Sequence, residues 1–463
     1  MSRPISSRIQ LQARNQLLKQ VKREIKQFRL QSLHRAVLTK LAKETPPLRM
    51  RRTWHVEAKV GNKPSIRLPS DSGMIPVFDR IGGKLLILGA TGSGKTTTLI
   101  GLAKVLVSRA IQDEGEPIPI LLNLRTWNPK KPAIADWIIE QMQWKYEIRS
   151  DISSYWLDQL QMLPLLDGLD EVPEQSREQC IQAINQLLES NFAPLHLITC
   201  STIEAYYFCK TRLQLNGAIL LKPLTKHQIR DYLLNAGSRE LWNDIEDDEK
   251  LLKLAQKPLL LSMMALADEE LLSVSWKRLA SYDEQLKYLF NAFIRRQITQ
   301  NRDLFDVQNS YTPEQMRQGL EWLSERLEEE NKVEFSVDAI PVNWLKETEE
   351  ERAYDWGLKI IKGFIWWGII LGIIIGALIQ SILLVLLLMS LGFIWGFVSD
   401  VFSVDHLIEQ FVLRSVISSK GYLPWKSKQF LRDARKRLIM QQVGDRYRFI
   451  HRWLQQHFAQ IKL

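Results

Sequence analysis

The stretch Gly89-Ala90-Thr91-Gly92-Ser93-Gly94-Lys95-Thr96 fits the phosphate-binding pattern G-x-x-x-x-G-K-[ST] at every fixed position. An apolar run at residues 85–88 precedes it, and Leu99, Leu102, Val105 and Leu106 lie on one face of the helical pattern that follows. Strand, glycine-rich turn and helix in that order turn the pattern into a physical site. The glycines let backbone N–H groups wrap phosphate oxygens, and the helix N-terminus adds its positive end. Lys95 is expected to reach the β- and γ-phosphates, the Thr96 hydroxyl to ligate Mg²⁺, and Thr97 to extend the cradle. The expectation is a bound nucleoside triphosphate.

Downstream, residues 117–124 form an apolar run of strand length, followed by a helical pattern from Ala133 to about Tyr146. Then comes Leu163-Pro164-Leu165-Leu166-Asp167-Gly168-Leu169-Asp170-Glu171, an apolar strand ending in Asp. Such a carboxylate orders the Mg²⁺ hydration shell facing the phosphates, so Asp167 is the second metal candidate. Asp170 and Glu171 follow at once, and either is a candidate catalytic group that polarises an attacking water. Two further apolar runs, at 195–200 and 218–221, alternate with helical patterns at 175–188 and up to Asn235. Alternating strands and helices predict an α/β fold with a parallel sheet covered on both faces. The ligand then sits at the carboxyl ends of the strands.

At this point the chain resembles a known family. Leu165-Leu166-Asp167-Gly168-Leu169-Asp170-Glu171 is similar to the acidic motif of NACHT domains, a branch of the STAND class of P-loop NTPases, with a small residue after the metal Asp and an acidic pair two positions later. The P-loop, Pro223-Leu224-Thr225 and Lys257-Pro258-Leu259-Leu260 agree with bacterial members. The resemblance implies ATP or ADP with Mg²⁺ as ligands, and it places Pro258 against the adenine ring. Near the C-terminus, Phe449-Ile450-His451-Arg452-Trp453-Leu454-Gln455-Gln456-His457-Phe458-Ala459 resembles the signature that closes NACHT modules; by that likeness His451, rather than His457, touches the ADP β-phosphate and holds the resting state. One departure stands out. Similar proteins carry an Arg sensing the γ-phosphate just after the strand at 197–200, whereas this chain reads Cys200-Ser201-Thr202-Ile203, with no Arg until Arg212. A missing cation there weakens stabilisation of transition-state charge more than it weakens binding.

The net charge of +10 is local: residues 1–52 hold 14 Lys/Arg against Glu24 and Glu44, a net of +12, so the remaining 411 residues sum to −2 (10 − 12). Within that arm Leu18, Val21, Ile25 and Phe28, then Leu33, Val37, Leu38 and Leu41, mark an amphipathic helical pattern, in one helix or two. Its polar face carries Arg14, Lys19, Lys22, Arg23, Lys26, Arg29 and Arg35. Such a face suits anionic lipid or another polyanion, or else is the solvated side of helices packed on the next domain. No base-reading motif or aromatic-interleaved platform points to a specific nucleic-acid site. Cys180, Cys200 and Cys209 show no metal-ligand spacing, and their odd number argues against a disulfide framework. No secretory signal pattern opens the chain.

From Gly363 to Ser399 no side chain is charged. As one helix these residues would span about 55 Å, against a hydrocarbon core of about 30 Å. Split near Gln380-Ser381, they make a two-helix transmembrane hairpin that puts Trp366, Trp367 and Trp395 at one interface and returns both ends to the cytoplasm. Gly368, Gly372 and Gly376, like Gly392 and Gly396, recur at the four-residue step that lets helices approach in lipid. Helical patterns at 406–416 and 426–440, a hairpin turning at Gly444-Asp445 and a final helix suit a winged-helix unit.

The domains expected are a basic helical arm at 1–60, a linker at 61–75, the NTPase at 76–240, a helical region at 241–355, the hairpin at 356–400 and a winged-helix-like module at 401–463. The function expected is a membrane-anchored ADP/ATP switch with slow ATPase activity. It would form homo-oligomers when ATP-bound, with a defence or cell-death role implied by the family. A motor or transporter component, and a non-enzymatic nucleotide-bound scaffold, are the rival readings.

Overall fold

The computed structural model describes residues 7–42, 56–60, 66–68, 74–130, 133–271, 276, 278–279, 281–299, 311–330, 332–346, 348–378 and 404–460. Two units emerge, one holding residues 1–301 with 331–333 and 441–444, the other 302–330, 334–440 and 445–463.

The first unit is built on a sheet ordered β2-β1-β7-β3-β6-β5-β4. Its strands are β1 (Val56–Val60), β2 (Ile66–Leu68), β3 (Lys84–Gly89), β4 (Ile118–Asn123), β5 (Met162–Asp167), β6 (Leu197–Ser201) and β7 (Gly217–Leu221). Five of them, β7-β3-β6-β5-β4, run parallel. Strands β3 to β6 are buried along nearly their whole length, as parallel strands covered on both faces must be. The helices of this unit are α1 (Ser7–Leu30), α2 (Leu33–Ala42), α3 (Ile75–Arg80), α4 (Lys95–Gln112), α5 (Ile134–Tyr146), α6 (Ser150–Asp158), α7 (Glu174–Glu189), α8 (Ile203–Phe208), α9 (Lys226–Asn235), α10 (Arg239–Glu246), α11 (Glu249–Ala255), α12 (Pro258–Leu266) and α13 (Tyr282–Thr299). Helix α9 starts at Thr225 with a reciprocal capping box to Gln228. The stretch read as a linker contains β2, which pairs antiparallel with β1 and so extends the edge of the sheet beside β7. Strands of five and three residues are too short for their alternation to stand out in the sequence.

The arm packs on the core of the first unit. Leu17, Leu18, Val21 and Ile25 of α1 are buried in the same cluster as Leu99, Leu102 and Leu106 of α4. Arg14, counted with the basic face in the sequence, is buried instead. Its Nη2 donates to the carbonyls of Ala110 at 3.0 Å, Asp113 at 3.3 Å and Glu116 at 2.8 Å, around the C-terminal end of α4. Burial lowers the Arg14 pKa, opposed by the charges of Glu114 and Asp113. Lys145 Nζ meets Glu24 at 2.7 Å, tying the one acidic residue of α1 to α5. Lys19, Lys22, Arg23, Lys26 and Arg29 remain exposed.

The second unit runs through α14 (Pro313–Glu329), α15 (Thr348–Leu378), α16 (Val404–Ser419), α17 (Ser427–Lys436) and α18 (Arg452–Gln460), with β9 (Arg446–Phe449) before α18, whereas β8 (Met440–Val443) falls mostly in the first unit. Phe335 bridges antiparallel to Tyr447 on β9. Gln455 on α18 donates to Glu328 on α14 at 2.7 Å, and Trp322 stacks on Tyr422 with centroids 5.5 Å apart. Helix α14 therefore belongs with the module expected at 401–463, and α15 with the stretch leading into the apolar insert lies between them in sequence.

Helix α15 carries the first half of that insert. Phe364, Trp366, Trp367 and Leu371 on it are exposed, and a Cβ placed at Gly363 or Gly368 meets nothing within 4 Å. The second expected span, with Trp395, Gly392 and Gly396, lies outside the described residues. Among the described residues no helix is long and apolar enough to cross a membrane.

Removing the Arg14 guanidinium leaves three carbonyls at the end of α4 without their donor. Arg14→Ala is expected to lower stability by about 2–3 kcal/mol, read from denaturant unfolding of the full chain, whereas Lys22→Ala on the exposed face should change it by no more than about 0.5 kcal/mol.

Candidate nucleotide-binding site

The parallel register sets the site. Leu88 lies opposite Ser201, and Asn123 opposite Asp167, so the carboxyl ends of β3, β6, β5 and β4 line up along one edge of the sheet. The glycine-rich loop leaves β3 there and enters α4 through Gly94, whose φ of 95° is open to glycine and strained for other residues. Gly89 is required for a different reason: a Cβ on it would lie 2.4 Å from Ser93 Oγ and 3.1 Å from Leu221.

Lys95 and Thr96 sit in the first turn of α4. Lys95 Nζ donates to the carbonyls of Gly89 and Ala90, each at 3.3 Å, and lies 3.9 Å from Asp170 Oδ2. Thr96 Oγ1 donates to Asp167 Oδ2 at 2.8 Å, across the intervening strand β6. After Asp167 the chain turns at Gly168, φ 78°, into a short 3-10 turn Leu169–Glu171. Glu171 packs over Gly168, within 3.1 Å of where a Cβ would stand, and accepts from Asn123 Nδ2 at 3.2 Å. The acidic pair is thereby divided: Asp170 faces the P-loop lysine and Glu171 is held by the neighbouring strand end.

The donor set suits Mg²⁺ with a nucleotide. Thr96 and Asp167 offer hard oxygens side by side, and Asp170 Oδ1, Ser93 Oγ and Ser201 Oγ are buried without a hydrogen-bond partner. Among the described residues no group of three or more His, Cys, Asp or Glu converges on a metal. A Mg²⁺ ion here would be held by few protein ligands and completed by phosphate and water. Burial raises the Cys200 thiol well above its ordinary range, and the nearby Asp167 carboxylate adds to the effect, so this residue stays neutral beneath the site.

Pro258 opens α12, and the next residue, Leu259, donates its N–H to Gly92 O at 3.2 Å. The expected adenine residue is thus seated beside the phosphate loop by a backbone bond. Residues 89–97, Asp167, Asp170, Glu171 and Pro258 all fall in the first unit, and His451 in the second. There His451 precedes α18, and its Nδ1 accepts the Trp453 N–H at 3.1 Å. Arg212 is turned onto its own loop, donating to the carbonyls of Tyr206 and Cys209 and lying over the Tyr206 and Tyr207 rings at 5.3 and 5.4 Å.

Three participants escaped the sequence reading. Asn123 was readable as the polar end of an apolar run in a parallel sheet. Arg177 on α7, which donates to the carbonyls of Asp170 and Val172 at 3.3 and 3.1 Å and steadies the acidic turn, carries no sequence signal. The Leu259–Gly92 bond is made by the backbone and has none either.

Residues 84–240 match the NACHT domain. The matched segment starts at the first residue of β3 and takes in every strand-end residue of the site. No curated protein matches the chain. Among solved structures it is similar to the crystal structure of Cdc6p from Pyrobaculum aerophilum at 11% identity, over 84% of this chain and 90% of that one, with a TM-score of 0.27. An overlap that loose carries no argument. The NACHT P-loop segment implies nucleotide binding, with Mg²⁺ the usual companion.

Gly89→Ala pushes a methyl group into Ser93 and Leu221. It is expected to destabilise the fold by about 1–3 kcal/mol and to weaken binding of a fluorescent ADP analogue, while Gly101→Ala, at an open helical position, leaves binding unchanged and raises stability by about 0.5–1 kcal/mol.

Proposed function

We propose that the protein is a membrane-anchored nucleotide switch of NACHT type, closed with ADP and opened by exchange for ATP. The observation that carries this reading is the junction at the P-loop, where Thr96 meets Asp167, Lys95 faces Asp170, and the Pro258 helix is bonded to Gly92. A clamp that touches phosphate, metal-site oxygens and base together can bind two nucleotides to different extents. Differential binding to two states is what a switch requires. The resemblance to NACHT modules assigns His451 to the ADP β-phosphate. Because its Nδ1 accepts a backbone N–H, the neutral ring carries its proton on Nε2, a donor suited to a phosphate oxygen.

Turnover is proposed to be slow. Bound Mg²⁺ would supply charge neutralisation at the phosphates. Of this chain's own groups, Lys95 provides positive charge, Asp170 polarises the water, and Arg212 is engaged elsewhere. Asp170→Asn is therefore expected to lower steady-state ATP hydrolysis by about 10²-fold or more, and Glu171→Gln by far less, measured by phosphate release. Equal losses would refute the division of roles.

Membrane anchorage is supported by the uncharged run of 37 residues and by the exposed Phe364, Trp366 and Trp367 on α15. The basic residues left exposed on α1 suit an anionic lipid surface or another polyanion. Opening is proposed to permit homo-oligomerisation, with a defence or cell-death output as the family-level implication. ADP-loaded protein in detergent should run as the smaller species by size-exclusion and crosslinking, and ATP-loaded protein as a larger one. Lys95→Ala should remain small with either nucleotide; one unchanging species in every case refutes the switch.

A further inference from the structure

We propose a second anion site, in the second unit: a cavity of about 310 Å³ that takes the phosphate of an anionic phospholipid headgroup. Arg414 of α16 and Lys426, Lys428 and Arg432 at the start of α17 line it, with Trp425 at its side. Among the described residues the carboxylate paired with these cations is Asp338, which accepts from Arg414 at 2.8 Å and Lys428 at 2.6 Å. Four cations and one carboxylate leave a net of +3 (4 − 1). No side chain caps the first turn of α17, so its N–H dipoles add to the side-chain charge at the same place.

The surroundings select a lipid over other phosphates. The inference rests here on the membrane reading of residues 363–399. A Cβ at Gly357 on α15 would lie 2.6 Å from Val412, so these two residues stand at one level on the packed pair α15–α16. Gly357 precedes the uncharged run by six residues, about 9 Å of helix. The headgroup layer on each side of a bilayer is about 5–7 Å deep. Arg414 lies two residues beyond Val412 on α16, about 3 Å farther from the run, so the cavity stands about 5 Å outside that layer, within reach of long Arg and Lys side chains. Toward the bilayer the surface turns apolar: Leu407 is exposed, and Phe411 meets Trp425 edge-on with centroids 5.3 Å apart, both half-exposed. Cations on the water side and aromatics on the lipid side are the order an interfacial headgroup site needs. Duplex DNA would leave those apolar side chains facing polar backbone.

The test uses the full chain and a Lys428→Gln/Arg432→Gln variant, both exposed positions. Each protein is placed in nanodiscs of phosphatidylcholine alone or mixed with phosphatidylglycerol, and retained lipids are counted by native mass spectrometry after extraction. In parallel, soluble dihexanoyl-phosphatidylglycerol is titrated below its micelle concentration. The wild-type chain is expected to retain phosphatidylglycerol over phosphatidylcholine, and the variant to lose that preference by about tenfold while still entering nanodiscs. No preference in the wild-type chain, or an undiminished one in the variant, overturns the site. So does saturation by inorganic phosphate alone, or binding of a short DNA duplex that the same substitutions abolish. Failure to enter phosphatidylcholine nanodiscs overturns the anchorage instead, and the soluble-lipid titration then still decides the pocket.

Discussion

The hydrogen bond from Thr96 to Asp167 is the constraint on which the rest of the first unit depends. It joins the start of α4 to the end of β5 although β6 lies between their strands, so it forms only if three parallel strands keep their register and end together. A one-residue slip would turn every side chain of a strand to the other face. The near-continuous apolar burial of β3, β5 and β6 resists that slip. The site is therefore a product of the sheet's core: hydrophobic registration sets where two oxygens meet, and their chemistry follows from the meeting.

Helix α4 is restrained at both ends by different parts of the chain. Its N-terminus carries Lys95 and Thr96, while its C-terminal carbonyls receive the buried Arg14 from α1. A cation at that end also complements the negative pole of the helix. The arm, read in sequence as a basic surface, thus serves two masters along one helix. Its apolar stripe and Arg14 hold the P-loop helix, and the residues on the far side remain charged and exposed. Charge alone did not separate these roles, because Arg14 differs from Lys22 by its position around the helix and not by its type.

Much of the fold was readable because buried parallel strands are apolar runs bounded by turn residues, and the loop 89–96 has few alternative uses. The acidic pair was readable as a pair but not as two residues with different duties. Asp170 and Glu171 are adjacent in sequence, and only the left-handed turn at Gly168 sends one toward Lys95 and the other toward Asn123. Arg177 and the Leu259 N–H were hidden for a related reason: their partners are backbone carbonyls, which leave no mark on composition or spacing. Strand β2 was missed because a three-residue edge strand in Gly- and Pro-bearing sequence looks like a linker, and the five-residue β1 was taken into the arm read at 1–60.

The uncharged run is enclosed within a single unit rather than appended to the chain. Helix α15 leads into it and α16 leads out, and the two pack so closely that Gly357 has no room for a Cβ against Val412. The chain must come back to the level from which it left. For a membrane insert that geometry demands an even number of crossings, since Phe335 and Tyr447, on either side of the insert in sequence, exchange backbone hydrogen bonds at 3.0 and 2.9 Å. A rearrangement of the second unit would consequently be felt where α15 and α16 enter the apolar run, because the bridge and the helix pair tie that junction to the body of the unit. The insert is thus mechanically continuous with the unit that carries His451.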